Sequence, residues 1–247
     1  MDPAYYVAAG SLKARSFQLE VVSNNLANSA TVGYKPDRAF FSVFNKAKES
    51  SRRLPLSGAV NDGVVFGETG VITDQGTLRP TARNLDFALQ GDGFFMVQTP
   101  QGPRATRDGR FQMGVNGQLQ ALDGSPLLGK NGQAITIDPK GGELSITPDG
   151  GVSQAGAVLG ALDIRAYENP GGLPRVGNLR FDPTGAKEVP AKGTVQAGVL
   201  EQSSVDLPSA MVEMIRLNRL FELSMKIAST LSNDLDARSI SDIARTN

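Results

Sequence analysis

The chain has 247 residues, with 25 basic and 25 acidic side chains, and it contains neither cysteine nor histidine. Zero net charge and an aromatic content of 6% without tryptophan argue against a nucleic-acid-binding protein, because such proteins present basic surfaces and stacking aromatic rings. Without cysteine and histidine there are no disulfides, no thiolate zinc sites and no imidazole base. An enzyme would then need paired carboxylates or a Ser–Lys arrangement, and no local spacing indicates one. We therefore expect no catalytic residue, no metal ligand, no cofactor and no enzymatic activity.

The first predicted element is a helix from about Pro3 to Asn28. Asp2 can cap it, and proline suits the first helical position because its missing N–H would be unpaired there anyway. Mostly apolar residues recur along this helix at alternating spacings of three and four, which is typical of a coiled coil. This N-terminal stripe consists of Tyr5, Ala8, Leu12, Arg15, Leu19, Val22 and Leu26.

The N-terminal segment lacks the basic region and apolar core of a cleaved signal peptide. The chain also has no run of about 18 apolar residues that could form a transmembrane helix. We therefore expect neither signal cleavage nor membrane insertion.

Residues 36–80 are predicted to form an extended connector. A mostly charged run from Lys46 to Arg53 is followed by Pro55 and several glycines, a composition typical of solvated, partly disordered chain. The pair Arg52-Arg53 is interpreted as wet surface rather than as a contact to nucleic acid.

Residues 81–200 carry the signs of an antiparallel β-rich domain. Of the 28 glycines, 26 fall between Gly58 and Gly198, and Asn-Gly and Asp-Gly pairs, which suit tight hairpin turns, recur at short intervals. The best predicted hairpin pairs Phe111–Val115 with Gln118–Leu122 across Asn116-Gly117. Core strands are predicted from the alternation of Leu85, Phe87 and Leu89 and from the apolar run Phe94–Val97.

The last predicted element is a helix that begins after Asp206, tolerates Pro208 in its first turn and runs to about Ala237. It carries a second stripe at heptad spacing. This C-terminal stripe consists of Leu207, Ala210, Met214, Leu217, Phe221, Ser224, Ala228, Leu231 and Leu235.

The predicted fold is α+β, with the N- and C-terminal helices forming a coiled-coil stalk around a central antiparallel β-rich domain. The predicted domains are residues 1–35 and 201–247 as the helices of the axial core, 36–80 as the connector and 81–200 as the outer domain. An ordinary helical hairpin in a globular core is the alternative to the stalk. The predicted assembly residues are Tyr5, Leu12, Leu19, Val22, Leu26, Met214, Leu217, Phe221, Ala228 and Leu231.

Three motifs, in order along the chain, resemble those of the flagellar basal-body rod and hook family. The first is the helix end around Asn24, Asn25, Leu26, Ala27 and Asn28, followed by Gly33, Tyr34 and Lys35. The second spans Asn84–Val97 and Thr106–Phe111, and the third spans Leu200–Leu207 and continues to Glu222. Ser204 and Asn218 depart from the family pattern, where asparagine and glutamine are common.

The resemblance implies a structural subunit of the bacterial flagellar basal-body rod, located in the periplasm. It implies export through the flagellar type III apparatus without signal cleavage, and assembly with copies of itself and with other rod proteins. The opening Met1–Tyr6 and the overall length are most similar to the proximal-rod members, and the distal-rod members are the alternative within the family.

A different class of function is a β-rich module that binds glycan or peptidoglycan, held by a helical hairpin. Such a module requires an exposed aromatic platform in the β-rich domain, whereas the central phenylalanines fall in apolar core patterns.

Overall fold

The computed structural model describes residues 3–43, 64–142, 144–177 and 179–245. The chain divides into two compact units. The helical unit comprises residues 1–26, 37–70 and 207–247, and the β unit comprises residues 27–36 and 71–206. The charged run from Lys46 to Arg53 and its expected disorder lie outside the described residues.

The helical unit contains two long helices and a two-stranded sheet. Helix α1 spans Pro3–Ala27 and helix α2 spans Leu207–Arg245. Strands β1, Asp37–Val43, and β2, Val64–Val71, pair with each other. Both helices begin where the local signals predict, while α2 continues beyond the expected end at Ala237.

The predicted coiled-coil stalk is wrong, because the apolar residues of the two helices are not confined to one heptad seam. The one buried apolar side chain in the described part of α1 is Val21, which lies off the predicted stripe. Phe17, also off the stripe, packs edge-on against Phe41 of β1 with 6.1 Å between the ring centroids. On α2, six apolar side chains outside the stripe are half or more exposed: Met211, Val212, Ile215, Leu223, Met225 and Ile227. Helix α1 therefore packs on a strand, and α2 is apolar on more than one face.

The β unit consists of short antiparallel strands. Its strands are β3 Leu78–Pro80, β4 Phe87–Gln90, β5 Phe94–Thr99, β6 Gly102–Thr106, β7 Phe111–Met113, β8 Leu119–Ala121, β9 Leu144–Ile146, β10 Gly151–Gln154, β11 Ala157–Ala161, β12 Ile164–Tyr167, β13 Arg175–Val176, β14 Arg180–Phe181, β15 Glu188–Val189, β16 Thr194–Ala197 and β17 Val199–Glu201. A short 3₁₀ turn covers Pro170–Gly172.

The largest sheet has six strands in the order β13-β14-β6-β5-β12-β15. A three-stranded sheet has the order β11-β10-β9, and the remaining pairs are β16 with β4, β17 with β3 and β7 with β8. The predicted connector, residues 36–80, contains three strands in its described part. These strands are β1, β2 and β3.

Strand β5 lies between two hydrophobic clusters, which explains its unbroken apolar run. Phe95 and Val97 pack into one cluster and Phe94 and Met96 into the other. Because alternate residues of a strand point to opposite faces, a segment that is buried on both faces, here Phe94–Val97, is apolar at successive positions. The predicted core strands at Phe87, Leu89 and Phe94–Val97 are confirmed, whereas Leu85 lies in the turn before β4.

The predicted hairpin at Asn116-Gly117 is present, with a loop one residue longer than a tight turn. Met113 pairs with Leu119 and Phe111 with Ala121. The Gly114 N–H bonds to the Gln118 carbonyl at 2.8 Å, and Gly117 takes a left-handed φ of 75°. Val115, expected at a strand end, is a fully exposed loop residue, because the three-residue loop with a left-handed glycine fits the strand twist.

Candidate functional site, a buried ion triad

Three charged residues, one from each sequence motif, meet inside the β unit. Glu201 Oε1 lies 2.6 Å from Lys35 Nζ, and Glu201 Oε2 lies 3.1 Å from Arg107 Nη1. The side chains of Lys35 and Glu201 are 1% exposed and that of Arg107 is 5% exposed. The Gly76 N–H also donates to Glu201 Oε1 at 2.9 Å, and Lys35 Nζ donates to the Asp74 carbonyl at 2.5 Å. These three side chains are called the ion triad below.

Arg107 connects the ion triad to the turn between β4 and β5. Its Nη2 donates to the Gly91 carbonyl at 2.8 Å, and its Nη1 lies 3.5 Å from the Leu89 carbonyl. The guanidinium also lies over the Phe94 ring, 5.3 Å from the centroid, a distance at which cation and ring attract each other. The turn between β4 and β5 therefore presents a carbonyl oxygen to a buried cation.

The first motif contacts the ion triad next to Gly33, which cannot be replaced by another residue without displacing the backbone at Arg107. Gly33 has a left-handed φ of 69°, and a Cβ there would lie 2.5 Å from the Arg107 backbone carbon. Its N–H donates to the Glu201 carbonyl at 2.8 Å. Only glycine combines this conformation with this close approach, so the motif places Lys35 directly beside Glu201.

Burial dominates the electrostatics of the ion triad. It lowers the pKa of Lys35 and of Arg107, and the nearby Glu201 carboxylate opposes the shift in both cases. Two cations share one carboxylate, so backbone carbonyls complete the solvation of the excess positive charge. Within the described residues, Arg107 Nε has no hydrogen-bond partner. The arrangement is an ion cluster whose three side chains are at most 5% exposed.

Arg175 of β13 packs against the neighbouring motif residues. Its guanidinium lies 5.0 Å from the centroid of the Tyr34 ring and 5.1 Å from that of Phe181. It also donates a short hydrogen bond to the Lys35 carbonyl. Tyr34 and Lys35, both predicted motif residues, are thus held by β13 as well as by Glu201.

Asn25 of the first motif satisfies backbone groups just after the end of α1. Asn25 bonds reciprocally with the Asp37 backbone, its Nδ2 donating to the carbonyl at 2.8 Å and its Oδ1 accepting from the N–H at 2.9 Å. Asn28 is buried, and its carbonyl accepts from the Thr31 N–H at 3.0 Å. Of the other predicted motif residues, Leu26 is half-buried, whereas Asn24 and Ala27 are exposed.

The predicted assembly residues are spread along both helices. For Tyr5 and Leu231 only the helical backbone is described. The half-buried members are Leu12, Leu19, Val22, Leu26, Met214, Phe221 and Ala228, and Leu217 is buried. Val22 and Leu217 line one groove of the helical unit together with Asp37 and Ala39 of β1. Their role in assembly stays a prediction.

Sequence reasoning missed Arg107 and Glu201 as site residues, although both lie in quoted motifs. A signal was present for Glu201, which is the one charged residue of β17. Arg107 gave no such signal, because the preceding strand β6 also contains Arg104. The described residues contain no cluster of three or more acidic side chains that could hold a metal ion. No described helix is long and apolar enough to cross a membrane.

Three family models match the chain in motif order. They are described as flagella basal body rod protein, residues 6–35, flagellar hook protein FlgE/F/G D1 domain, residues 88–154, and flagellar basal body rod FlgEFG protein C-terminal, residues 196–240. The chain is 32% identical over 254 residues to the flagellar basal-body rod protein FlgG of Buchnera aphidicola subsp. Acyrthosiphon pisum, covering 93% of this chain and 96% of the relative. The chain belongs to the flagellar basal-body rod protein family.

Relatives named FlgF are equally similar. The FlgF protein of Mesorhizobium japonicum is 30% identical over 228 residues, covering 90% of each chain. That of Caulobacter vibrioides is 31% identical over 231 residues, covering 92% of each chain. The protein is therefore a structural subunit of the flagellar basal-body rod, and each matched segment contributes one member of the ion triad.

Proposed function

We propose that the protein is the FlgF-type subunit, which lies in the proximal rod. The supporting observation is the length of the alignments. The FlgG alignment extends over 254 residues but covers 93% of this chain, which is about 230 residues, so about 24 aligned positions have no counterpart here. The alignment with the FlgF protein of Mesorhizobium japonicum extends over 228 residues and covers 90% of this chain, which is about 222 residues. It therefore leaves only about six aligned positions without a counterpart here. A FlgG-type subunit of the distal rod is the alternative.

The subunit assembles with copies of itself and with other rod proteins through apolar side chains of α1 and α2. Support comes from α2, where Val212 is 67% exposed and Ile227 is 58% exposed. Apolar side chains recurring on an exposed helix are typical of surfaces that become buried on association. The subunit reaches the periplasm by type III export without signal cleavage, as the resemblance implies.

The protein has no catalytic role and no glycan-binding role. All seven aromatic side chains that the structure describes in the β unit are buried: Tyr34, Phe87, Phe94, Phe95, Phe111, Tyr167 and Phe181. The aromatic platform that sugar binding requires is therefore missing from the described part of that unit. Relatives of this chain are named as rod proteins.

Site-specific labelling tests the proximal position. The chain has no cysteine, so Val115→Cys, at a fully exposed loop position, provides one unique thiol for a gold label. In isolated basal bodies we expect the label in a short zone at the end of the rod next to the cytoplasmic membrane. Label along most of the distal rod would instead assign the chain to the FlgG type.

A further inference from the structure

We propose that the ion triad is a joint that holds the chain segments leading to the two terminal helices at one fixed separation. Lys35, Arg107 and Glu201 are then positioning residues for rod assembly rather than a source of stability for the β unit. The inference rests on the proposed function, because only a subunit that assembles through its terminal helices needs such a joint.

Both segments belong to the β unit, and each is adjacent along the chain to one of the terminal helices. Helix α1 ends at Ala27 and helix α2 begins at Leu207, so Lys35 lies eight residues after one helix and Glu201 six residues before the other. Residues 28–36 are called the first lead, and residues 199–206 the second lead. The two leads are therefore the segments of the β unit that continue directly into the two helices along the chain.

The two leads are bonded directly to each other by two backbone hydrogen bonds and by the ion pair. The Gly33 N–H donates to the Glu201 carbonyl at 2.8 Å, and the Ser204 N–H donates to the Tyr34 carbonyl at 3.3 Å. The 2.6 Å contact of Lys35 Nζ with Glu201 Oε1 adds a third link between the leads. The three contacts set the separation and the register of the leads.

Arg107 joins the paired leads to the core. It holds Glu201 on one side and the Gly91 carbonyl on the other, at 3.1 and 2.8 Å. Gln75 reinforces the same turn, since its amide donates to the Leu89 carbonyl at 2.7 Å and accepts from the Gly91 N–H at 2.9 Å. The joint is therefore anchored to the edge of the main hydrophobic cluster.

Stability alone does not explain why three charges are buried here. Taking ions out of water is unfavourable, and replacing a buried ion cluster by apolar side chains of similar volume is often neutral or stabilising. The β unit already has two hydrophobic clusters. Ion pairs with short bonds to fixed backbone groups add direction, which apolar contacts do not supply.

The test compares stability, geometry and function in one variant. The triple variant Lys35→Met, Arg107→Met, Glu201→Leu removes all three charges together. Spin labels at Ala30→Cys and Gln202→Cys, one on each lead, report the distance between the leads in an otherwise cysteine-free chain. We expect a thermal midpoint within about 5 °C of the parent, a distance distribution at least twice as broad, and loss of swimming.

A matched control replaces an exposed ion pair. Glu188 binds Arg165 at 2.7 Å with its side chain 53% exposed, and Glu188→Leu should leave midpoint, distance distribution and swimming unchanged. The single variant Glu201→Gln keeps the shape and the acceptor for Gly76 but removes the charge, so it should fold and broaden the distribution to an intermediate width.

Three results would overturn the proposal, and a fourth would overturn the proposed function alone. A triple variant that does not fold shows that the charges are needed for stability. A narrow distribution, with or without swimming, shows that the triad does not set the separation of the leads. A broad distribution with normal swimming shows that assembly does not need the joint. If deleting the whole gene leaves swimming intact, the proposed function fails, whereas the distance measurement on the purified protein still decides the joint itself.

Discussion

Glu201 carries one negative charge between two positive ones in the interior of the β unit. Removing it alone leaves Lys35 and Arg107 buried without their carboxylate partner, which is the expensive way to break an ion cluster. Removing all three charges avoids that penalty. The single and triple variants are therefore expected to change the free energy of unfolding by amounts that differ in sign or size. The effects of the single substitutions should not add up to that of the triple variant.

We predict that Glu201→Ala lowers the free energy of unfolding by about 3–5 kcal/mol. Chemical denaturation with a probe of the β unit measures this value. The control is Glu188→Ala, because Glu188 also pairs with an arginine but is more than half exposed, so its loss should change stability by less than about 1 kcal/mol. Equal effects of the two variants would contradict the role assigned to burial.

Tyr167 gives the β unit a dependence on alkaline pH. Burial, and next the charge of Glu188, raise the pKa of Tyr167 to about 12. Because the folded-state pKa lies above the ordinary value of about 10, the folded state retains the proton longer. Its contribution is complete below about pH 10 and is lost as the pH rises towards 12.

We therefore predict that wild type loses about 2 kcal/mol more stability between pH 10 and pH 12 than Tyr167→Phe does. Both proteins should be unfolded with denaturant at a series of pH values, and the difference between them isolates this one phenol from the titrating lysines. Parallel curves across that range would show that Tyr167 ionises normally.

Among the helices and strands, the sequence predicted correctly those features that depend on neighbouring residues. Helix α1 was predicted over residues 3–28 and spans Pro3–Ala27. The prediction succeeded because Pro3 at its start, and Asn28 and Gly33 after its end, influence the backbone of their own neighbours. The hairpin at Asn116-Gly117 was found for the same reason. The register within it, the order of the six-stranded sheet and the packing of α1 on β1 depend on distant residues. The coiled-coil prediction failed because heptad spacing does not say what covers the helix.

Leu19 tests whether the N-terminal stripe takes part in assembly. We predict that Leu19→Asp blocks swimming while the β unit keeps its thermal midpoint, because a carboxylate at a packed interface must be desolvated. Ser16→Asp is the control, since it adds the same charge one turn earlier at an exposed position of α1. It should swim. Normal swimming of Leu19→Asp would remove this part of the stripe from the assembly surface.

At the scale of the whole molecule, the three motifs were recognised in the sequence but their meeting point was not. Lys35 and Glu201 are 166 residues apart, and Arg107 and Glu201 are 94 apart. No periodicity or spacing rule links residues at such separations, and the pairing follows only once β17 and the first lead lie side by side. The sequence motifs therefore identified the family, while the triad that joins them required the fold.

Images of basal bodies isolated from a deletion strain test whether this chain is a structural part of the rod. We predict that the strain does not swim, that its basal bodies lack a complete rod, and that a plasmid copy of the wild-type gene restores both. Complete rods and normal swimming without the chain would contradict the claim.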